Sequence, residues 1–213
     1  MYIQTPFEET RIEVLHALIR DHPLGTFVAM TQDGLEANHI PFEICDGPHA
    51  FGTLRAHVAR ANPIWNSTLP ALDTMLVFQG PNAYISPSWY VNGKKSGKLA
   101  PSWNYAVVHA YGRLRVIEDG DWLREHLGQL VARHEAGQPT PWSMAEQPPE
   151  FTDNMVRAIV GIEIEITRLV GKWFVSQHRT PADRVSLAAN LRLQHSDSAT
   201  AVAELISRVD AVS

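Results

Sequence analysis

Apolar positions first recur at helical spacing in Ile12, Leu15, Leu18 and Ile19, a stripe that runs out before Pro23. Ahead of it, Thr5-Pro6-Phe7-Glu8 reads as a helix start, with Thr5 as cap, Pro6 at the first helical position and Glu8 completing a capping box. The spacing then falls to two. Leu24 to Thr31 predicts a strand, Asp33-Gly34 a hairpin turn, and Leu35 to Ile44 an antiparallel return. Beyond Asp46-Gly47-Pro48 a third strand, from Ala50 to Val58, completes a predicted meander. Thr74 to Phe78 and Asn82 to Ser86 predict two short strands. Trp103 to Val116 predicts a long one, whose small apolar face (Ala106, Val108, Ala110, Gly112, Leu114, Val116) suits a barrel interior.

Helical spacing returns from Asp121 to Glu135, with Trp122, Leu123, Leu127, Leu130 and Val131 inward, and again near Phe151 to Ile159. Ile162, Ile164 and Ile166 mark a last strand. Leu187 to Leu193 and Ala199 to Val212 read as helices, the second with an apolar stripe (Val202, Leu205, Ile206, Val209) suited to dimer contact or to docking. So many half-buried strands, with few helices, predict a mainly β fold: an antiparallel barrel with peripheral helices.

Composition narrows the function. A net charge of -5 argues against a protein that neutralises nucleic-acid phosphates over a whole face, although a local basic patch stays open. The single cysteine, Cys45, excludes an intramolecular disulfide and a cysteine-rich zinc site, and suits a reducing compartment. With no basic-then-apolar leader and no long apolar run, a cytoplasmic protein without a membrane segment is expected. His39, His57 and His109 lack the spacing of a ligand pair, so no metal site is expected. Glycine-rich phosphate loops, a Gly-x-Ser-x-Gly elbow and a His-Glu-x-x-His motif are all missing. No helix-turn-helix pattern occurs either, which leaves direct DNA contact unsupported.

Three segments carry candidate chemistry. Gln79 to Tyr105 holds two Pro-Ser-Trp triplets among several large rings, more aromatic surface than a connecting loop needs. Its middle, Val91 to Ala100, carries Lys94, Lys95 and Lys98, which fit solvent better than a lid. Arg55 to Pro63, at a strand end, places two arginines and an imidazole beside turn N–H groups, the makings of a phosphate cradle or of a solvated edge. Gly171 to Arg179 combines cations, an amide, a hydroxyl and an indole; it fits either a ligand contact or a plain strand end. Together they supply what a flavin mononucleotide needs: cations for the phosphate, flat surfaces, and donors for the ring edge.

The runs His57-Val58-Ala59-Arg60-Ala61-Asn62-Pro63-Ile64-Trp65, Phe78 to Tyr90, Pro101-Ser102-Trp103-Asn104-Tyr105 and Gly171 to Gln177 resemble the PaiB family, FMN-binding negative transcriptional regulators. The resemblance reaches from residue 1 to about 180, which sets a barrel domain over 1–180 and a helical extension over 181–213. It implies a homodimeric split β-barrel related to pyridoxamine-phosphate oxidases, with FMN in a groove between the subunits. Carried onto this chain, it implies that Arg55, His57, Arg60 and Asn62 meet the phosphate. Gln79, Ser86, Trp89, Tyr90 and Asn104 would line the groove, and Lys172, Ser176, Gln177 and Arg179 would reach in from the partner. The chain departs from the family at Val91 to Lys95, at Ser102, and at Phe174 with His178. A flavin-dependent oxidoreductase using a nicotinamide cofactor is the alternative on the same fold, and haem ligated by His57 or His109 a third.

Overall fold

The computed structural model describes residues 1–47, 49–92, 97 and 99–209. Two compact units divide the chain: one of Met1–Leu18, Gln79–His109 and Val170–Ser213, the other of Ile19–Phe78 and Ala110–Leu169. Among the described residues, eight strands form one sheet: β1 (Glu8–Glu9), β2 (Leu24–Thr31), β3 (Gly34–Pro41), β4 (Glu43–Cys45), β5 (Thr53–Ala59), β6 (Thr74–Ile85), β7 (Ser102–Ile117) and β8 (Ile159–Phe174). The order is β3-β2-β6-β7-β8-β5-β4, with β1 on β8. Among the described residues, six α-helices accompany it: α1 (Ile12–Asp21), α2 (Ile64–Ser67), α3 (Gly120–Glu135), α4 (Pro149–Arg157), α5 (Pro181–Arg192) and α6 (Asp197–Arg208).

In the second unit the period-two pattern does what it predicts. Gly25, Phe27, Ala29 and Thr31 of β2 are all buried, and β2 pairs with β3 from Leu24↔Pro41 to Thr31↔Gly34. The turn closes because Gly34 takes φ 113 and Thr31 Oγ1 donates to the Gly34 carbonyl at 2.9 Å. The predicted meander does not form. Phe42 leaves the strand, is 1% exposed, and packs its ring on Phe27 and Phe78 at 6.3 and 6.2 Å between centroids. Beyond it β4 pairs with β5, and β5 pairs with β8 from Thr53↔Glu165 to Ala59↔Ile159. One buried aromatic residue thus sends the return strand to the opposite end of the strand order.

In the first unit the helix start lies later than predicted. Thr5–Phe7 is a single 3-10 turn, and Glu8 and Glu9 pair as β1 with Lys172 and Gly171. The Glu9 carboxylate takes the Arg11 backbone N–H and its guanidinium, so α1 begins only at Ile12. The two short strands predicted around Gly80 are one, β6. A Cβ on Gly80 would lie 3.2 Å from the Ala106 carbonyl, so glycine there permits the close approach that keeps the strand whole. Along β7 the predicted small face is buried from Ala106 to Gly112, but Val116 is 37% exposed. The C-terminal stripe docks within its own chain: Val202 and Ile206 are fully buried with Leu187, Leu191 and Tyr90.

Candidate functional site

Of the residues assigned to a ligand by sequence, four lie in the second unit and nine in the first. Those in the second unit are mostly occupied by their own chain. Arg55 Nε donates to Glu163 at 3.3 Å, and Arg115 bonds the other oxygen of that carboxylate. Arg60 spends its guanidinium on the Arg157 carbonyl (3.0 Å), the Ile159 carbonyl (3.2 Å) and Glu118 (2.6 Å). Asn62 donates to Asn38 Oδ1 at 2.8 Å and accepts the Ile64 N–H at 3.0 Å, fixing the entry to α2. His57, half buried on β5, meets His126 of α3 with 3.1 Å between Nδ1 and Nε2. Burial lowers the pKa of both imidazoles, that of His126 to about 4, where His57 and Arg55 add to the effect.

The first unit brings its nine into one half of the chain, but not into one role. Gln79 is exposed on β6. Ser86 caps the 3-10 turn Pro87–Trp89, its Oγ accepting from the Ser88 N–H at 3.3 Å. Tyr90 is 1% exposed and belongs to the core, with Trp89 packed against the same cluster. The exposed rings of the aromatic stretch are Tyr84 (48%) and Trp103 (54%), edge to face at 6.2 Å, with Trp103 Nε1 held by Asn82 Oδ1. Lys94, Lys95 and Lys98 lie outside the described residues.

The chain after β8 makes a tight corner. Gln177 accepts the Val175 N–H at 2.9 Å and donates to the Trp173 carbonyl, while the Arg179 N–H bonds the Ser176 carbonyl at 3.0 Å. That corner forces Ser176 to φ 62, a left-handed conformation costly for any residue with a Cβ. Ser176 is 1% exposed and its Oγ receives Asn104 Nδ2 at 2.9 Å. Asn104, on β7, is fully buried, yet its Oδ1 has no partner. Arg179 lies 4.6 Å over the Tyr90 ring with its buried Nε also unbonded. Lys172 donates to the Tyr2 carbonyl at 3.2 Å and sits 5.4 Å from the Tyr105 ring. Phe174 and His178, where the chain departs from the family, stack at 5.8 Å beside Phe7. Burial, then Arg179, lowers the His178 pKa.

A buried amide oxygen and a buried guanidinium nitrogen, both unbonded, cost free energy unless something meets them, about 1–3 kcal/mol each. They offer one acceptor and one donor, which fits the edge of a flavin, where N3–H donates and O2, O4 and N5 accept. Bound there, FMN would supply the capacity to take and release a hydride; Asn104, Ser176 and Arg179 would hold and orient its ring.

Sequence reasoning missed Asp183 and His126. Asp183, 5% exposed, accepts the backbone N–H groups of Val91 (2.8 Å) and Asn92 (3.0 Å) and the Thr180 hydroxyl (2.9 Å). Burial raises its pKa, but those hydrogen bonds and Arg179 prevail and hold it below the ordinary carboxylate value. The Thr180-Pro181-x-Asp183 helix start was the readable signal. His126 stands one turn from Trp122 and from Leu130, on the face already predicted to point inward.

Residues 1–168 match the family described as "Putative FMN-binding domain". A protein of Bacillus subtilis, "Protease synthase and sporulation protein PAI 2", is 29% identical over 206 residues, covering 97% of this chain and 96% of its own. An uncharacterised protein of Aspergillus fumigatus is 30% identical over 229 residues, covering 86% and 88%. Among solved structures, the flavocytochrome Anf3 from Azotobacter vinelandii shares the fold with a TM-score of 0.61 at 16% identity, over 84% of this chain and 73% of that one. The class is therefore a mainly β, antiparallel flavin-binding protein. The chain belongs to the FMN-binding domain family, as a homologue of the PaiB protein of B. subtilis, and its cofactor is FMN.

Proposed function

We propose that this is a homodimeric split-barrel flavoprotein of the PaiB type, cytoplasmic, in which bound FMN serves negative regulation of transcription. The observation that carries the flavin part is the buried pair Asn104–Ser176, with Asn104 Oδ1 unmet and Ser176 in a left-handed conformation. Residues of both predicted groups are candidates for the cofactor: Arg55, His57, Arg60 and Asn62 toward its phosphate-bearing tail, Asn104, Ser176, Gln177 and Arg179 toward its ring. The half-buried, single Cys45, whose thiol burial pushes up in pKa, suits a reducing compartment. Among the described residues, no helix is long and apolar enough to cross a membrane.

The regulatory output acts through a partner rather than through a recognition helix of this chain. The helix pair α5–α6 is the nearest approach to a DNA-reading motif, but α6 buries Ala199, Val202, Ala203 and Ile206 and exposes Asp197 and Glu204, carboxylates that phosphates repel. A second reading, a flavin-dependent oxidoreductase taking hydride from NADH or NADPH, rests on the hydride chemistry that a flavin itself supplies. The visible spectrum of the purified protein tests the core: a flavin spectrum supports it, and a colourless sample that takes up no added FMN overturns it. Light scattering at twice the chain mass supports the dimer. Salt-sensitive retardation of the protein's own upstream DNA would favour direct regulation, and anaerobic bleaching by a nicotinamide would favour the enzyme.

A further inference from the structure

Glu43 on β4 and His126 on α3 are each 3% exposed, and His57 on β5 is half buried beside them. Glu43 Oε2 lies 3.4 Å from His126 Nδ1, a charge contact without hydrogen-bond geometry that leaves this buried nitrogen otherwise unmet, and His126 Nε2 lies 3.1 Å from His57 Nδ1. Trp122 stacks on His126 at 5.1 Å and fixes its ring plane, with Arg55 over the indole and bonded to Glu163. Arg133 lies 3.4 Å from Glu43 Oε1 and balances the carboxylate. Burial lowers both imidazole pKa values, so both rings are neutral at neutral pH.

Two neutral imidazoles in contact share a single proton, and the far end of the chain decides its direction. A bare Nδ1 on His126 would set a lone pair against the Glu43 carboxylate, so the His126 proton resides on Nδ1. Its Nε2 is then an acceptor, His57 must donate from Nδ1, and His57 Nε2 is left with a lone pair. No described residue meets that nitrogen.

We propose that Glu43 and His126 fix His57 as the Nδ1–H tautomer, so that His57 accepts a hydrogen bond from a ligand hydroxyl and does not donate one to a phosphate. The ligand half rests on the FMN reading above and changes it: His57 addresses the hydroxyl-bearing ribityl chain rather than the phosphate. A phosphate monoester is mostly dianionic at neutral pH and offers acceptors alone, which a bare imidazole nitrogen repels.

Two measurements on the full chain test this. Long-range proton–nitrogen correlation of the histidine rings at neutral pH should show His57 and His126 each protonated on Nδ1 alone, with Glu43→Gln weakening that preference. A proton on His57 Nε2, or a doubly protonated ring, overturns the proposal, and this readout stands whether or not flavin binds. Titration with FMN and with riboflavin, which lacks the phosphate, tests the ligand half. His57→Leu should weaken both by the same factor, about fivefold for one neutral hydrogen bond. A loss confined to FMN overturns it in favour of a phosphate contact, and unchanged affinity for both places His57 outside the site. A wild-type protein that binds neither flavin ends the FMN reading, while the ring tautomer is still decided by the first measurement.

Discussion

The two units each bury a polar cluster, and the clusters are built on different terms. In the second unit, buried Glu43 and His126 and half-buried His57 are ionisable and face one another, with exposed Arg133 at the rim, held at charge-pair distances that leave Glu43 Oε1 and His126 Nδ1 without a hydrogen bond. In the first, Asn104 and Ser176 are neutral, and one amide atom is left without a partner. A charged cluster in a low-dielectric interior is held by mutual compensation and responds to protons. A neutral one with an unmet atom responds to a ligand.

The largest expected effect is acid destabilisation through the charged cluster. His126 falls from 6.5 to about 4 on folding, so the unfolded chain binds more protons between those values. Stability is full above the unfolded value, is lost as pH falls through that window, and levels off below it. The loss from His126 is about 3 kcal/mol at most, before any share for His57. Urea unfolding of the FMN-free protein at several pH values should show it, and His126→Gln should flatten the curve.

Asn104→Leu should invert that pattern. FMN affinity falls by roughly 10–100-fold, the cost of one unmet and one lost hydrogen bond at the ring, while the melting temperature drops only about 2–4 °C. Fluorescence titration against thermal melting separates the two; an equal loss in both would make Asn104 a core residue and nothing more.

Asp183 tests whether the first unit also holds a compensated charge. Asp183→Asn should cost about 1–2 kcal/mol by weakening acceptance from Val91, Asn92 and Thr180. Because its pKa is lowered, its contribution is present above the ordinary carboxylate value and lost as pH falls below it, a more acidic window than that of His126. Smallest is Asn62→Ala, about 0.5–1.5 kcal/mol by chemical denaturation with flavin affinity unchanged, if its role is the turn into α2. A selective loss of FMN over riboflavin would instead return Asn62 to the phosphate.

Much of this was legible in the chain. Leu24 to Thr31 declared a strand by alternation, Asp33-Gly34 its turn, and Asp121 to Glu135 a helix by its apolar stripe, because these patterns follow from local geometry. The PaiB motifs point to FMN, and Asn104 and Ser176 both stand within them. The redirection at Phe42 was not legible, since a phenylalanine inside an apolar run reads as more strand until Phe27 and Phe78 are known to receive it. Nor was Tyr90, which looked like groove surface and is core.

The sequence by itself determined the family, the main helices and strands with their periodicities, and the small face of β7 from Ala106 to Gly112. Those depend on neighbours within a turn or a strand step and on long ordered motifs. Only the tertiary structure decided which polar side chains find each other: Asn104 and Ser176, 72 residues apart, and His57 and His126, 69 apart. It left Asn104 Oδ1 unmet in one cluster and, by the tautomer argument, a lone pair on His57 Nε2 in the other. Hydrogen bonds act over about 3 Å, and no rule of sequence spacing reaches across such separations.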